Sequence, residues 1–375
     1  MTPAPWPDDL LPDLARGAAR RPAVVLDDDP TGTQTLRDVP VLTAWDPDAI
    51  ARHLHEPVVF LSTNSRSLDT TAAEAVTRDA VVAAIGAARA SDRDISVISR
   101  SDSTLRGHFP TETVAVAEAM DMPGARVLLA PYFGEGGRVT VDDVHHLERD
   151  GHRVPVADTE FAQDAVFGYR SSNLREWVAE RYAAAGRGRP PMTSLSLELV
   201  RTGGPQAVVE ALRALPAGGV ALANAELDRD IEVVALGALL AEEAGLPLVA
   251  RTAASYVRGR AGRPPAPLLD ADELPAGSAG LVVVGSHVAT TTEQLARLRD
   301  ALGADEAVVQ ELSVADLFAA GTVGRTAPAL DAAMRSGRLA ILATERARRD
   351  VGFEGGRAIS SALVAIVERL EERPA

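Results

Sequence analysis

Apolar residues in this chain come in short unbroken runs, and each run ends abruptly in charge, hydroxyl or glycine. Val24–Leu26, Val58–Leu61, Ile95–Ile98, Val127–Ala130 and Gly219–Leu222 are such runs. They are strand-length and apolar at consecutive positions, the pattern of parallel strands covered on both faces. Between them, Thr71–Arg89 and Thr111–Met120 predict helices. Asn173, with Glu176 three residues on, opens another helix through Leu174, Trp177, Val178 and Arg181 in the manner of a capping box. The alternation predicts an α/β protein with parallel or mixed sheets flanked by helices.

The pattern changes after the strand expected at Pro247–Arg251. Val257–Gly277, "VRGRAGRPPAPLLDADELPAG", is rich in Pro, Gly and charge and predicts an interdomain linker. A second, shorter α/β unit then begins at Leu281–Val284, with a strand at Leu339–Ala343 and a terminal helix at Ile359–Leu370. In it, "LVVVGSHVATTTEQLARL" predicts a strand, a turn at Gly285-Ser286, and a helix. Thr290 and Glu293 would form its capping box, and Leu295, Leu298 and Leu302 its apolar face. At 375 residues the chain suits two domains rather than one core.

Composition narrows the chemistry. The chain is 46% hydrophobic and 24% charged, as globular proteins are. A net charge of −15 argues against coating nucleic acid. No apolar run approaches a membrane span; Ala235–Ala241 is among the longest. Met1–Asp13 carries acids and prolines where a signal peptide would be basic and then apolar. With no cysteine, disulfides, thiolate metal sites and a Cys nucleophile are excluded, and a reducing cytoplasm is the expected location. All 38 cationic residues are arginine, so no Walker-type or Schiff-base lysine exists, and anions must be met by arginine, backbone N–H or metal.

Four strand ends carry candidate chemistry: Asp27–Thr35, Ser62–Ser67, Ser99–Phe109 and Ala130–Thr140. In open parallel sheets the ligand crevice lies beyond the carboxyl ends of the strands. Turn formation and helix capping explain any one of these loops. Together, however, they bring Arg66, Arg100, Arg106 and Arg138 beside hydroxyls, glycines and carboxylates. That set suits a small, oxygen-rich anion, with carboxylates able to accept a proton from a hydroxyl or hold Mg2+. Read by itself, "VVLDDDPT" also fits haloacid-dehalogenase-type phosphatases, with Asp27 as nucleophile, Asp29 as general acid and Asp142-Asp143 as a later acidic motif. The absence of lysine and the weak strand before Asp142 weigh against this.

Taken together, the motifs resemble the four-carbon acid sugar kinase family over most of the chain. "DDPTGTQT" is similar to the family's opening Asp-Asp-x-Thr-Gly, and "SDSTLRG" to its most specific signature, Asp-Ser-x-Leu-Arg-Gly. "TNSR", Gly137-Arg138, "GYRSSNLREWV" and "VVVGSHVATTTEQL" resemble further segments in the expected order. The resemblance implies ATP-dependent phosphorylation of a terminal hydroxyl on a tetronate such as threonate or erythronate.

It further implies an N-terminal extension at 1–20, an acid-sugar-binding domain at 21–257, a linker at 258–279 and a nucleotide-binding-like domain at 280–375. A cleft between the domains would close on the ligands. Arg106, with Arg66, would hold the substrate carboxylate. One of Asp28 and Asp29 would orient or deprotonate the hydroxyl, and the other would hold Mg2+. Thr31, Gly32, Ser65, Asp102, Ser103, Gly107 and Arg138 complete the expected substrate site. Gly285, Ser286, Thr290 and Gln294 are the expected nucleotide contacts. The partner is a small sugar acid, with no nucleic acid and no membrane; a homodimer is left open.

Two positions depart from the family pattern. Arg100 stands where members usually carry lysine. Members also continue past the last helix into a strand and a Gly-Gly-x-Thr-Ser-like turn, whereas this sequence stops at "EERPA", and Gly355-Gly356 precedes the helix. Either the ATP site is incomplete, or its missing part comes from another chain, or the sequence is truncated; the first keeps open the alternative of a sugar-acid-binding homologue without turnover. The phosphatase alternative would need Asp27 and Mg2+ but no ATP.

Overall fold

A computed structural model describes residues 2–149, 151–273, 280–303, 305–347, 349 and 351–372. The chain forms two compact units, Met1–Ala266 and Pro267–Ala375.

The strands of the first unit are β1 (Ala23–Asp27), β2 (Val41–Leu42), β3 (Val58–Ser62), β4 (Ser96–Arg100), β5 (Arg126–Ala130), β6 (Arg138–Val141), β7 (Val144–Arg149), β8 (His152–Pro155), β9 (Met192–Leu195), β10 (Val220–Ala223) and β11 (Leu248–Thr252). Eight of them make one parallel sheet in the order β2-β3-β1-β4-β11-β5-β10-β9. Successive residues of a strand face opposite sides, so Val25 and Ile98 enter one core while Val24, Leu26 and Val97 enter another. Both faces are covered, which is why these strands are apolar throughout.

The order of the strands locates the crevice. From β1 the chain builds β2 and β3 on one side, then crosses to place β4 on the other. The β1–β4 boundary is therefore a topological switch point, where connections diverge and leave a crevice beyond the strand ends. In register there, Asp27 is the partner of Arg100, which is in turn the partner of Thr252.

A separate antiparallel sheet, β6-β7-β8, was not expected from the sequence. Its first turn is Asp142-Asp143, both in the left-handed region with φ of 51° and 62°, as a two-residue hairpin turn requires. This is what "VDD" encodes, rather than an acidic metal motif. Asp143 is buried, and its carboxylate accepts from Ser194 Oγ at 2.6 Å, Asn224 Nδ2 at 2.9 Å and Arg175 Nε at 2.7 Å. These bonds pin the hairpin to the ends of β9 and β10. The expected cap at Asn173 is present, accepting from the backbone of Arg175 and Glu176.

The second unit has a parallel sheet of β12 (Gly280–Val284), β13 (Ala307–Leu312) and β14 (Leu339–Thr344), in the order β12-β14-β13. Helices Thr322–Arg335 and Gly352–Glu368 cover the face bearing Ala340 and Leu342. Helix Ala289–Ala301 covers the face bearing Ile341 and Ala343.

Three expectations change. Val257–Arg260, placed at the start of the linker, completes a buried helix, Ala254–Arg260; residues 274–279 of that linker lie outside the described residues. The last helix begins at Gly352, so Gly355 and Gly356 lie inside it, packing having overridden glycine's weak helix propensity; of the "EERPA" end, residues 373–375 are not described. Finally, Val288 rather than Thr290 is the N-cap of helix Ala289–Ala301, and no side chain caps it.

Candidate active site

The aspartate triplet leaves β1 at the switch point. Asp27 and Asp28 are 1% and 2% exposed, and Asp29 is half-buried. Three adjacent carboxylates repel one another, and burial sharpens the penalty. Two arginines from the neighbouring strand ends offset it. Arg100 Nη1 reaches Asp27 Oδ1 at 3.1 Å, Asp28 Oδ1 at 3.4 Å and Asp29 Oδ1 at 3.0 Å. Arg66, just past β3, grips Asp28 through Nε at 3.0 Å and Nη2 at 2.5 Å, while its Nη1 lies 2.7 Å from Asp29 Oδ2.

Backbone completes the cluster. Gly32 N–H donates to Asp27 Oδ2 at 3.1 Å. Thr31 gives both its N–H and its hydroxyl to Asp29 Oδ1, at 2.8 and 2.6 Å. A Cβ at Gly32 would sit 2.1 Å from the Asp27 carboxylate, so the position admits only glycine. Burial pushes Asp27 up to about 7 despite Arg100, and it also raises Asp28. For Asp29, burial is outweighed by Arg66, the Thr31 hydroxyl and Arg100, which hold it below the usual carboxylate range. With three carboxylates and two guanidinium groups, one retained proton brings the cluster to neutrality, and burial favours it on Asp27 and Asp28 over Asp29.

The signature loop Asp102–Gly107 lies beyond β4. Asp102 accepts from Arg106 Nε at 2.6 Å and from the Thr104 hydroxyl. Burial alone would raise Asp102, but Arg66 and Arg106 hold it well below the usual range. Arg106 lies over the Phe161 ring, 5.1 Å from its centroid, with Nη1 3.7 Å from Asp164. Gly107 has φ of 114°, and a Cβ there would meet Arg251 Nη2 at 3.0 Å and Asp28 Oδ2 at 3.2 Å. Glycine lets the loop pass this close to the triplet. The Ser103 carbonyl lies 2.8 Å from His145 Nε2 on the hairpin. Burial drops His145 to about 4, so it stays neutral and ties β7 to the signature loop.

Ser65, an expected substrate contact, faces inward instead. It is fully buried and donates to Glu112 Oε1 at 2.5 Å, and Glu112 Oε2 accepts from Arg251 Nη1 at 3.1 Å. The chain Ser65–Glu112–Arg251 supports the loops from beneath. Sequence patterns missed Glu112, Arg251 and His145. Only Arg251 had a usable signal, a strand running straight into arginine and threonine.

Arg138, at the start of β6, differs from the other three arginines. It donates to the Gly136 carbonyl and lies over the Phe133 ring, 5.7 Å from its centroid. Its Nε, like that of Arg100, is buried without a hydrogen-bond partner; what sets it apart is that, among the described residues, no carboxylate pairs with it, whereas Arg66, Arg100 and Arg106 each have one. Burial lowers its pKa, the sign expected of a cation that lacks a close counter-ion. Asp102 and Arg106 lie within its electrostatic reach.

The resemblance implies Mg2+ held by Asp28 or Asp29. The residues present do not fit a divalent ion there, because each of the six carboxylate oxygens already accepts from an arginine or from the Gly32 or Thr31 N–H.

In the second unit, Gly285, Ser286, Thr290 and Gln294 are all exposed at or near the uncapped N-terminus of helix Ala289–Ala301. Unsatisfied N–H groups at such an end attract anions. Arg346 is beside them, donating to the Ser286 carbonyl and to Thr292 Oγ1 at 3.2 Å. Among the described residues no helix is long and apolar enough to cross a membrane.

Comparison with known proteins agrees with this division. Residues 23–260 match a sugar-binding N-terminal domain, and residues 281–375 a nucleotide-binding C-terminal domain. No curated protein matches the chain. A solved Salmonella typhimurium LT2 protein, provisionally described as a tRNA synthase, is 18% identical; the match covers 94% of this chain and 83% of that one, with a TM-score of 0.62. A Haemophilus influenzae protein from a domain family of unknown function is 15% identical, with 92% and 83% covered and a TM-score of 0.53. At these identities the two structures establish a shared fold. The two domain matches, in this order and over nearly the whole sequence, establish that the chain belongs to the four-carbon acid sugar kinase family.

Proposed function

We propose that this protein transfers the γ-phosphoryl group of ATP to a terminal hydroxyl of a four-carbon sugar acid of the threonate or erythronate type. The observation that carries the substrate class is Arg138. Arg66 and Arg100 are neutralised by the triplet, and Arg106 is engaged by Asp102. Arg138 alone of the four has no carboxylate partner among the described residues, so it is the one prepared to receive an acid. This moves the carboxylate site from Arg106 and Arg66 to Arg138, with Arg106 flanking it.

Asp29 is the most exposed carboxylate of the triplet and takes the role at the attacking hydroxyl. Its oxygens are held by Thr31, Arg66 and Arg100, and its low pKa makes it a weak base. Phosphoryl transfer asks mainly for positioning and charge neutralisation, so a fixed, weak acceptor suffices. The hydroxyl oxygen forms a bond to the γ-phosphorus, the bond from that phosphorus to the β–γ bridging oxygen breaks, ADP leaves, and the hydroxyl proton passes to Asp29. Thr31 and Gly32 fix the aspartates, and Asp102, Ser103 and Gly107 shape the loop around the acid. Gly285, Ser286, Thr290 and Gln294 would meet the nucleotide phosphates at the helix N-terminus. Mg2+ entering with the nucleotide would neutralise phosphate charge.

A coupled assay of ADP release over a panel of four-carbon sugar acids tests this. Release that depends on a tetronate supports the proposal. Binding of tetronate without release in the presence of Mg2+-ATP would instead identify a binding protein without turnover.

A further inference from the structure

We propose that Arg100 is a built-in cation for the aspartate triplet. It occupies the place a divalent metal would otherwise take and makes the sugar-acid unit independent of divalent ions. Asp27, Asp28 and Asp29 each offer one oxygen, and these lie within 4.8 Å of one another. Among the described residues this is the only cluster of its kind. Three converging carboxylates ordinarily call for a hard cation.

Arg100 Nη1 sits within 3.4 Å of one oxygen from all three. The remaining demand is met by Arg66, by Gly32 N–H and by Thr31. No lone carboxylate face is left for an ion. The guanidinium is also held in place. It belongs to the last residue of a central strand, in register with Asp27 on one side and Thr252 on the other. The Asp28 N–H donates to the Arg100 carbonyl at 3.3 Å, and the Arg100 side chain is 4% exposed. A metal would have to displace a group that the sheet fixes and the core encloses.

Charge points the same way. Three carboxylates against Arg66 and Arg100 leave a single excess negative charge; adding a divalent ion would leave an excess of positive charge. The consequence is chemical as well as structural. A guanidinium neutralises and orients, but unlike a metal ion it neither exchanges nor acidifies bound water.

The test uses Mn2+ as the probe, titrated into the full-length protein without nucleotide or sugar acid and followed by electron paramagnetic resonance. Its readout is metal uptake, so it can fail while the kinase assignment stands. Wild type and Asp29→Asn should take up the same amount of Mn2+. Arg100→Gln should gain about one tight Mn2+ per chain, lost again in Arg100→Gln/Asp29→Asn, whereas Arg100→Lys should gain none. A tight wild-type site that Asp29→Asn removes overturns the proposal, as does a folded Arg100→Gln that takes up no extra Mn2+. Should Arg100→Gln fail to fold, the comparison of wild type with Asp29→Asn decides alone.

Discussion

Arg100 and Asp27 are register partners on adjacent strands, and a guanidinium nitrogen of one lies 3.1 Å from a carboxylate oxygen of the other. The contact joins β1 to β4 at the switch point of the sheet. It also makes Asp27, one of the two fully buried acids of the triplet, a structural member of the cluster. Its oxygens are met by Arg100 and by the Gly32 N–H, and at 1% exposed it presents no face to a substrate, unlike Asp29, which argues against the nucleophilic role of a phosphatase.

Stability should therefore depend on pH through Asp27. Its folded pKa is raised to about 7 from an ordinary carboxylate value near 3.8. Between those values the folded state holds the proton more tightly than the unfolded state, so this contribution is full at low pH and is lost as pH rises towards 7. Asp27→Asn removes this contribution and leaves that of Asp28, which burial also raises. In urea melts, the stability of wild type relative to Asp27→Asn should fall by about 2–3 kcal/mol from pH 5 to pH 8. A difference that does not change with pH would refute the assignment.

Arg66 and Arg138 should separate stability from binding. Arg66→Gln leaves the buried Asp28 without its main partner and should cost about 3–5 kcal/mol in denaturant melts. Arg138→Gln breaks no ion pair among the described residues and should leave the melting temperature nearly unchanged. It should instead raise KM for the sugar acid by roughly 10- to 100-fold, the loss of a charge-assisted hydrogen bond.

Asp29→Asn should keep the fold, since the amide oxygen can still accept from Thr31 and Arg100, and Arg66 keeps its two bonds to Asp28. Turnover should fall by about 100-fold or more through loss of the proton acceptor. Equal kcat in the two proteins would remove Asp29 from the chemistry.

Gly107→Ala should fail for geometric reasons. The backbone there has φ of 114°, and the added carbon would press on Arg251 and on Asp28. Reduced thermal stability together with a raised KM is expected, because the signature loop would withdraw from the triplet. An unchanged melting curve would show that the loop can move away at no cost.

Much of the large sheet was legible because buried parallel strands are apolar at every position. Val24–Leu26 and Val58–Leu61 could hardly be anything else. The edge strand β2 was not, being only two residues long, nor was the hairpin β6-β7-β8, whose buried positions alternate and whose first turn is built from Asp142 and Asp143 rather than glycine. Within the site, the sequence identified the loops but not the pairings. Arg66 and Arg100 are 38 and 72 residues from Asp28, and only the strand order shows that both reach it, while Arg138 pairs with no carboxylate among the described residues. Ser65 was misplaced for a related reason. Its partner Glu112 comes from a distant helix, and nothing local marks the hydroxyl as facing inward.

The most direct test of the kinase assignment is phosphorus NMR of the product mixture after incubation of the full-length protein with ATP, Mg2+ and threonate or erythronate. A new phosphate monoester resonance on the sugar acid, growing in step with ADP and absent when the matching four-carbon polyol replaces the acid, is predicted. ATP left intact with every tetronate, or an ester formed equally well on the polyol, would contradict it.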